Sequence, residues 1–154
     1  MLQLGDLLSD DDKQDYIDRH LKPGQVLYLF STFTDPPKDK YLVLVHQDGQ
    51  PLLFVINSRV SAYIQNRPAL LPSQIPLKVS DYPFLDHDSV LNCGEVIIEF
   101  DEARIRQQVE AEVGRLKGEL NATTKADIIG VVQVAKTLSP NDKRLIIEAL
   151  QGSP

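Results

Sequence analysis

The chain has 154 residues, a formal net charge of -6, 42% hydrophobic residues and 25% charged residues. This length suits one domain with a real core, and the composition is ordinary for a globular protein rather than a disordered one. No apolar run approaches the length of a membrane span and no basic, apolar leader opens the sequence, so we expect neither a membrane helix nor a secretion signal.

The single cysteine, Cys93, excludes an intramolecular disulfide and a cysteine-based zinc site. A chain without disulfides fits a reducing compartment, so we expect a cytoplasmic protein. The sequence shows no cluster of metal-ligating residues and implies no cofactor.

The charge is unevenly distributed along the chain. Residues 21–80 carry six lysines or arginines against three aspartates and no glutamate, whereas residues 1–20 and 81–100 are acidic. Local positive potential, more than net charge, attracts phosphates. The excess in residues 21–80 therefore permits a nucleic-acid surface, although ordinary scatter of surface charge would give the same pattern.

The chain begins with a short helical arm over residues 1–22. Residues 1–8 are apolar and are expected to be extended, and Ser9 is placed to cap a helix that Pro23-Gly24 ends. Three acidic residues follow Ser9, where the helix dipole favours them, so capping is preferred to a metal site.

Residues 23–100 have the pattern of an antiparallel β structure. Short blocks of β-branched, leucine and aromatic residues are bounded by turn residues, and Asp48-Gly49 favours a hairpin between the second and third blocks. We expect a small, strongly bent antiparallel barrel with helices, an α+β fold, with strands near 25–30, 41–46, 51–57, 75–79 and 95–100.

Residues 101–151 change to helical periodicity. A helix over 101–120 is expected to bury Ile105, Val109, Val113 and Leu116 on the barrel or across a dimer interface. Thr124 and Asp127 resemble a capping box for a second helix, and Ser139-Pro140 precedes a third over 143–151. The whole chain, 1–154, is expected to form a single domain.

Most of residues 22–150 resembles the PemK/MazF-like toxins. The resemblance rests on a Pro-Gly opening of the first strand, a basic residue at the start of the second, and amide and hydroxyl residues at the end of the third. These are Lys22-Pro23-Gly24-Gln25-Val26, Lys40-Tyr41 and Asn57-Ser58. Three later stretches are also similar: Asp88-Ser89, Phe100-Asp101 and Lys136–Pro140. It implies an SH3-like β-barrel and a homodimeric, metal-independent endoribonuclease that cleaves single-stranded RNA and is paired with an antitoxin protein.

The resemblance and the strand pattern together predict a site at the strand ends. Lys38, Lys40 and Arg59 would neutralise a phosphate, and Asn57 and Ser58 would donate hydrogen bonds to its oxygens. The family usually has an arginine, often followed by proline, where this chain has Lys40-Tyr41. Lysine neutralises phosphate as a point charge and lacks the two-pronged geometry of arginine.

His87 is the candidate acid or base, because Asp86 and Asp88 flank it and carboxylates can raise the pKa of an imidazole and orient its ring. We assign catalysis to Lys40, Ser58 and His87, and substrate binding to Lys38, Asn57 and Arg59. The alternative is a non-catalytic barrel that serves as a protein-binding or regulatory module. Lysine in place of arginine at position 40 favours this alternative, whereas the excess of positive charge in residues 21–80 favours the ribonuclease.

Overall fold

A computed structural model of the chain describes residues 9–152, and the extended arm expected for residues 1–8 lies outside them. The fold is α+β, with a six-stranded antiparallel sheet that curls into a half-barrel. The strands are β1 (Gln25–Ser31), β2 (Lys38–His46), β3 (Leu52–Asn57), β4 (Gln74–Leu77), β5 (Ser89–Ile97) and β6 (Leu116–Glu119). The helices are α1 (Asp10–His20), α2 (Ala62–Gln65), α3 (Glu102–Ala111), α4 (Ala122–Val134) and α5 (Pro140–Gln151).

The sheet has the order β4-β5-β3-β2-β1-β6. Its centre is the meander predicted from the sequence, in which β2 pairs with both β1 and β3. Gly49 has a φ of 78° in the turn between β2 and β3, a conformation that glycine adopts without the steric cost of a side chain. The expected hairpin is therefore confirmed, and β2 begins three residues earlier than expected.

The two later strands differ from the prediction. The strand expected at 75–79 is β4, an edge strand in which Pro76 is exposed. The strand expected at 95–100 begins instead at Ser89 and ends at Ile97, because β3 pairs with both ends of this stretch, Asn57 opposite Val90 and Leu53 opposite Ile97, with an irregularity in register between them.

The helix predicted over 101–120 is wrong in its second half. Helix α3 ends at Ala111, a 3-10 turn spans Val113–Arg115, and β6 follows and pairs with β1. Gly118 has a φ of 143°, which no α-helix accommodates. The apolar stripe is nevertheless buried as predicted: Ile105, Val109, Val113 and Leu116.

Two apolar cores lie on opposite faces of the sheet. Helices α4 and α5 cover one, packing side chains such as Ile128 and Ile146 onto Val43 and Phe54. Helices α1 and α3 cover the other, which includes Ile17, Leu27, Leu42, Leu53 and Ile105. Alternation along each central strand supplies both cores, which is why these strands are apolar throughout.

The helix starts follow side-chain caps. Ser9 accepts a hydrogen bond from the Asp12 amide and Ser139 from the Asp142 amide, as expected. The capping box proposed at Thr124 is wrong: α4 starts at Ala122, and the side chain of Asn121 caps it by accepting from the Thr124 amide at 2.8 Å. None of the helices within residues 9–152 combines the length and the apolar character needed to cross a membrane.

Candidate functional site: a basic groove at the strand ends

A groove of about 220 Å³ lies where the start of β2, the end of β3 and the loop before β5 meet. We call it the basic groove after its two lysines, Lys38 and Lys40, although two aspartates, Asp39 and Asp86, also line it. Its walls are formed by Tyr28, Lys38, Asp39, Lys40, Tyr41, Ile56, Asn57, Ser58, Leu85, Asp86, His87 and Ser89.

Five of the six side chains predicted for the site share this groove, namely Lys38, Lys40, Asn57, Ser58 and His87. The sixth, Arg59, is exposed one residue beyond Ser58 and does not line it. Antiparallel pairing of β2 with β3 explains the convergence, because the start of one strand lies beside the end of the next.

Lys40 is the half-buried cation of the groove. Its ammonium group donates a hydrogen bond to Asn57 Oδ1 at 3.4 Å. Burial, and to a lesser degree the neighbouring charge of Lys38, lower the pKa of Lys40 below its ordinary value. Lys40 therefore releases a proton more readily than a solvated lysine, and a bound phosphate would restore its preference for the charged form.

Asn57 and Ser58 offer neutral donors at the end of β3. Because Asn57 Oδ1 accepts from Lys40, the amide NH2 of Asn57 is the part left to donate to a ligand. Ser58 is exposed, and its hydroxyl has no hydrogen-bond partner among residues 9–152. Lys40, Asn57 and Ser58 thus present one cation and two donors to the same space.

His87 is exposed at the opposite wall, in the loop that precedes β5. Its Nδ1 lies 2.8 Å from the backbone oxygen of Asp88, so Nδ1 carries the proton in this contact because a carbonyl can only accept. The other ring nitrogen, Nε2, is then left to accept or donate a proton. Ser89 stabilises the turn by donating its hydroxyl to the His87 carbonyl at 3.0 Å.

The flanking carboxylates do not orient the imidazole ring as the sequence suggested. Asp88 accepts a hydrogen bond from the Val79 amide at 2.9 Å, which holds the loop against the strand that precedes it. Asp86 lines the groove. The pKa of Tyr41 is raised mainly by burial of its hydroxyl and next by the negative charge of Asp86. The backbone rather than a side chain therefore fixes the tautomer of His87.

Sequence reasoning missed the partner of Asp39. Arg115 donates to the Asp39 carboxylate at 3.0 Å and to the Tyr28 carbonyl at 2.7 Å. This pair neutralises an acidic side chain in the wall of the groove. Because the sequence placed Arg115 in the middle of a helix, nothing in it brought this residue to the start of β2.

Sequence reasoning also missed a row of aromatic rings. Tyr28 lies opposite Tyr41 in the β1–β2 pairing with ring centroids 4.5 Å apart, and Phe84 and Tyr82 continue the row. The Lys117 ammonium lies 5.4 Å from the centre of the Tyr28 ring. In the observed strands Tyr28 and Tyr41 are each three residues from the intervening loop, but the predicted bounds of 25–30 and 41–46 do not give this pairing.

Within residues 9–152, no three or more histidine, cysteine, aspartate or glutamate side chains are grouped so that they could hold a metal ion. Cys93 is fully buried, and burial raises the pKa of its thiol. Comparison of the chain with protein-family models and with curated proteins finds no match.

Proposed function

We propose that this protein is an endoribonuclease that cleaves single-stranded RNA in the basic groove without a metal ion. One observation carries the proposal: two lysines, two neutral donors and an imidazole line the same groove. Metal-free cleavage of RNA requires cations or donors on the phosphate, a base for the 2'-hydroxyl and an acid for the leaving oxygen. The groove contains a candidate for each requirement.

The roles follow from the environment of each side chain. His87 Nε2 takes the proton of the 2'-hydroxyl, whose oxygen attacks the adjacent phosphorus. The bond from phosphorus to the 5'-oxygen breaks, and the Lys40 ammonium donates a proton to that oxygen. The products are a 2',3'-cyclic phosphate and a 5'-hydroxyl, while Asn57 and Ser58 donate to the non-bridging oxygens.

The resemblance to PemK/MazF-like toxins supports the same activity and extends the proposal to its biological setting. In this setting the protein is the toxin of a bacterial toxin–antitoxin pair, built on an SH3-like barrel. It acts as a homodimer and is inhibited by a small antitoxin protein. Arg59, outside the groove wall, binds the RNA strand further along.

The proposal is tested with Lys38→Met/Lys40→Met and a matched control, Lys78→Met/Lys136→Met, which removes two exposed lysines outside the groove. Both variants change the net charge equally. The groove variant should bind single-stranded RNA more weakly, and its salt dependence should be flatter by about 0.7 for each phosphate that is no longer neutralised. The control should retain both the affinity and the slope.

His87→Ala separates chemistry from binding. We expect slower cleavage in buffer that contains a metal chelator, with unchanged RNA affinity, because the imidazole transfers a proton and carries little of the binding. Wild-type protein that neither binds nor cuts single-stranded RNA at low salt, with or without a divalent metal, would refute the proposed function.

A second candidate function, a protein-binding module, is favoured by one observation outside the basic groove. An apolar cleft of about 250 Å³ lies between the loop that holds Pro68 and Pro72 and the end of α4, where Val134 is 73% exposed. Exposed apolar surface of this kind often marks a contact site. This candidate takes precedence if the RNA experiments fail.

A further inference from the structure

We infer that Tyr28 forms a nucleobase-stacking subsite of the basic groove, next to the phosphate position at Lys40. The inference rests on the proposed RNA-binding function and adds to it the part of the substrate that the charged residues do not contact. It assigns an unpaired base of single-stranded RNA, of any sequence, as the ligand.

The position of Tyr28 supports this assignment. Tyr28 lines the groove together with Lys38 and Lys40, and its ring is half-buried rather than part of the core. In the sheet, Tyr28 pairs with Tyr41. Because Tyr28 and Lys40 both line the one groove of about 220 Å³, a phosphate at Lys40 and a base on Tyr28 can belong to the same stretch of one RNA strand.

The contacts of Tyr28 distinguish it from the other tyrosines of the aromatic row. Tyr41 donates its hydroxyl to the Phe84 carbonyl at 3.0 Å, and the hydroxyl of Tyr82 lies 2.6 Å from that of Thr124. These two rings are fixed by their polar ends. The Tyr28 hydroxyl has no hydrogen-bond partner among the described residues, so it is the member of the row with an unused polar group at the groove.

A cation accompanies the ring. The Lys117 ammonium, 5.4 Å from the ring centre, is within the range of a cation–π contact. Aromatic rings beside cations are the usual platform for single-stranded nucleic acids, because every base has a stacking face and every linkage has a negative charge. Tyr28 and Lys117 lie on neighbouring strands, β1 and β6, which place the two groups together.

The experiment measures how much the bases contribute to affinity. The probes are a short 2'-O-methyl oligoadenylate, which cannot be cleaved through its 2'-oxygen, and a fully abasic strand of the same length and charge. For wild-type protein we expect the oligoadenylate to bind roughly 5-fold or more tightly than the abasic strand. In Tyr28→Leu this preference should disappear while binding of the abasic strand is unchanged, and Tyr28→Phe should retain it.

Tyr63 provides the matched control. Tyr63 is exposed where Tyr28 is half-buried, and it also carries a cation on its ring, the guanidinium of Arg67 at 3.6 Å, but it lies outside the groove. Tyr63→Leu should therefore keep the full preference for the oligoadenylate. Loss of the preference in both leucine variants would mean that general tyrosine loss, not the subsite, is responsible, and would overturn the inference.

A measurement on wild-type protein covers the case in which Tyr28→Leu does not fold. The NMR signals of the Tyr28 ring should shift upfield on addition of the oligoadenylate and not on addition of the abasic strand, because a stacked base shields the ring. Wild-type protein that binds both strands equally, with no such shift, overturns the stacking subsite alone. Wild-type protein that binds neither strand overturns the subsite and the proposed function together.

Discussion

Removal of Arg115 should lower both the stability of the fold and the affinity of the groove for RNA, and the two effects can be separated. The Arg115 guanidinium donates to the Tyr28 carbonyl at 2.7 Å and to the Asp39 carboxylate at 3.0 Å. It thereby joins the 3-10 turn before β6 to the pair of strands that carry the groove. In Arg115→Ala the carbonyl loses its donor, and the carboxylate becomes an unpaired negative charge in the groove wall.

The size of the stability effect follows from exposure. The Arg115 side chain is 17% exposed and that of Asp39 is 35% exposed, so solvent screens the ion pair, which then contributes less than about 1 kcal/mol. Loss of the charge-assisted bond to the Tyr28 carbonyl adds roughly 1.5 kcal/mol. We expect a total of about 2 kcal/mol. For a chain of this size such a loss lowers Tm by roughly 4–8 °C.

The effect on RNA binding has a different cause and a different remedy. One uncompensated charge about 4 Å from a phosphate in water costs on the order of 1 kcal/mol, or roughly 5-fold in affinity. Arg115→Ala/Asp39→Asn removes that charge. The double variant should therefore recover RNA affinity at low salt but not thermal stability, since the Tyr28 carbonyl still lacks its donor.

The assays are thermal unfolding and titration of labelled single-stranded RNA at two salt concentrations, on wild type, Arg115→Ala, Asp39→Asn and the double variant. The decrease in affinity caused by Arg115→Ala should be smaller at the higher salt concentration. Two results would refute the reasoning: an unchanged Tm in Arg115→Ala, or a double variant that binds RNA as weakly as Arg115→Ala.

Three further predictions concern the core and the titration of Lys40. Val113→Asp should lower the free energy of unfolding by about 3 kcal/mol or more, because it buries an uncompensated carboxylate at a position only 3% exposed. Val134→Asp, at a valine 73% exposed, should change Tm little. Equal Tm values for the two variants would contradict the burial argument. RNA affinity should fall as pH rises through the lowered pKa of Lys40, because the deprotonated lysine no longer neutralises a phosphate. Lys38→Met should move this fall in affinity to higher pH, because it removes the neighbouring like charge. Lys78→Met, at an exposed lysine outside the groove, should leave it where it is. Between that lowered pKa and the ordinary value of 10.5 the unfolded chain binds more protons than the folded one, so stability should rise with pH there in wild type and less in Lys40→Met.

The central hairpin and the caps of α1 and α5 were predictable because their signals are local. Asp48-Gly49 marks the connection between β2 and β3, where Gly49 has a positive φ, and Ser9 and Ser139 cap helices that begin directly after them. The convergence of Lys40 with Asn57 followed from that turn alone, since an antiparallel hairpin leaves few options for which strand ends meet.

Strand β6 was not predictable because its signal is not local. Residues 101–120 keep an apolar period near that of a helix, and this period holds through Val113 and Leu116 although the backbone changes at Glu112. A buried side chain looks the same in the sequence whether a helix or a strand carries it. What selects the strand is the unpaired edge of β1, which no window of the sequence contains.

The register of the hairpin determines both the core and the site. Leu42 lies opposite Val55 in one of the two cores, and continuing that register toward the strand ends places Lys40 opposite Asn57. A slip by one residue would exchange the side chains of β2 between the two cores, disrupt the packing of both, and separate Lys40 from Asn57 at the same time. Specific packing in both cores therefore opposes a slip, and the geometry of the groove is maintained by core residues that do not line it. Core substitutions that shift this register should then alter RNA binding without changing a groove residue, whereas those that only reduce volume should affect stability alone.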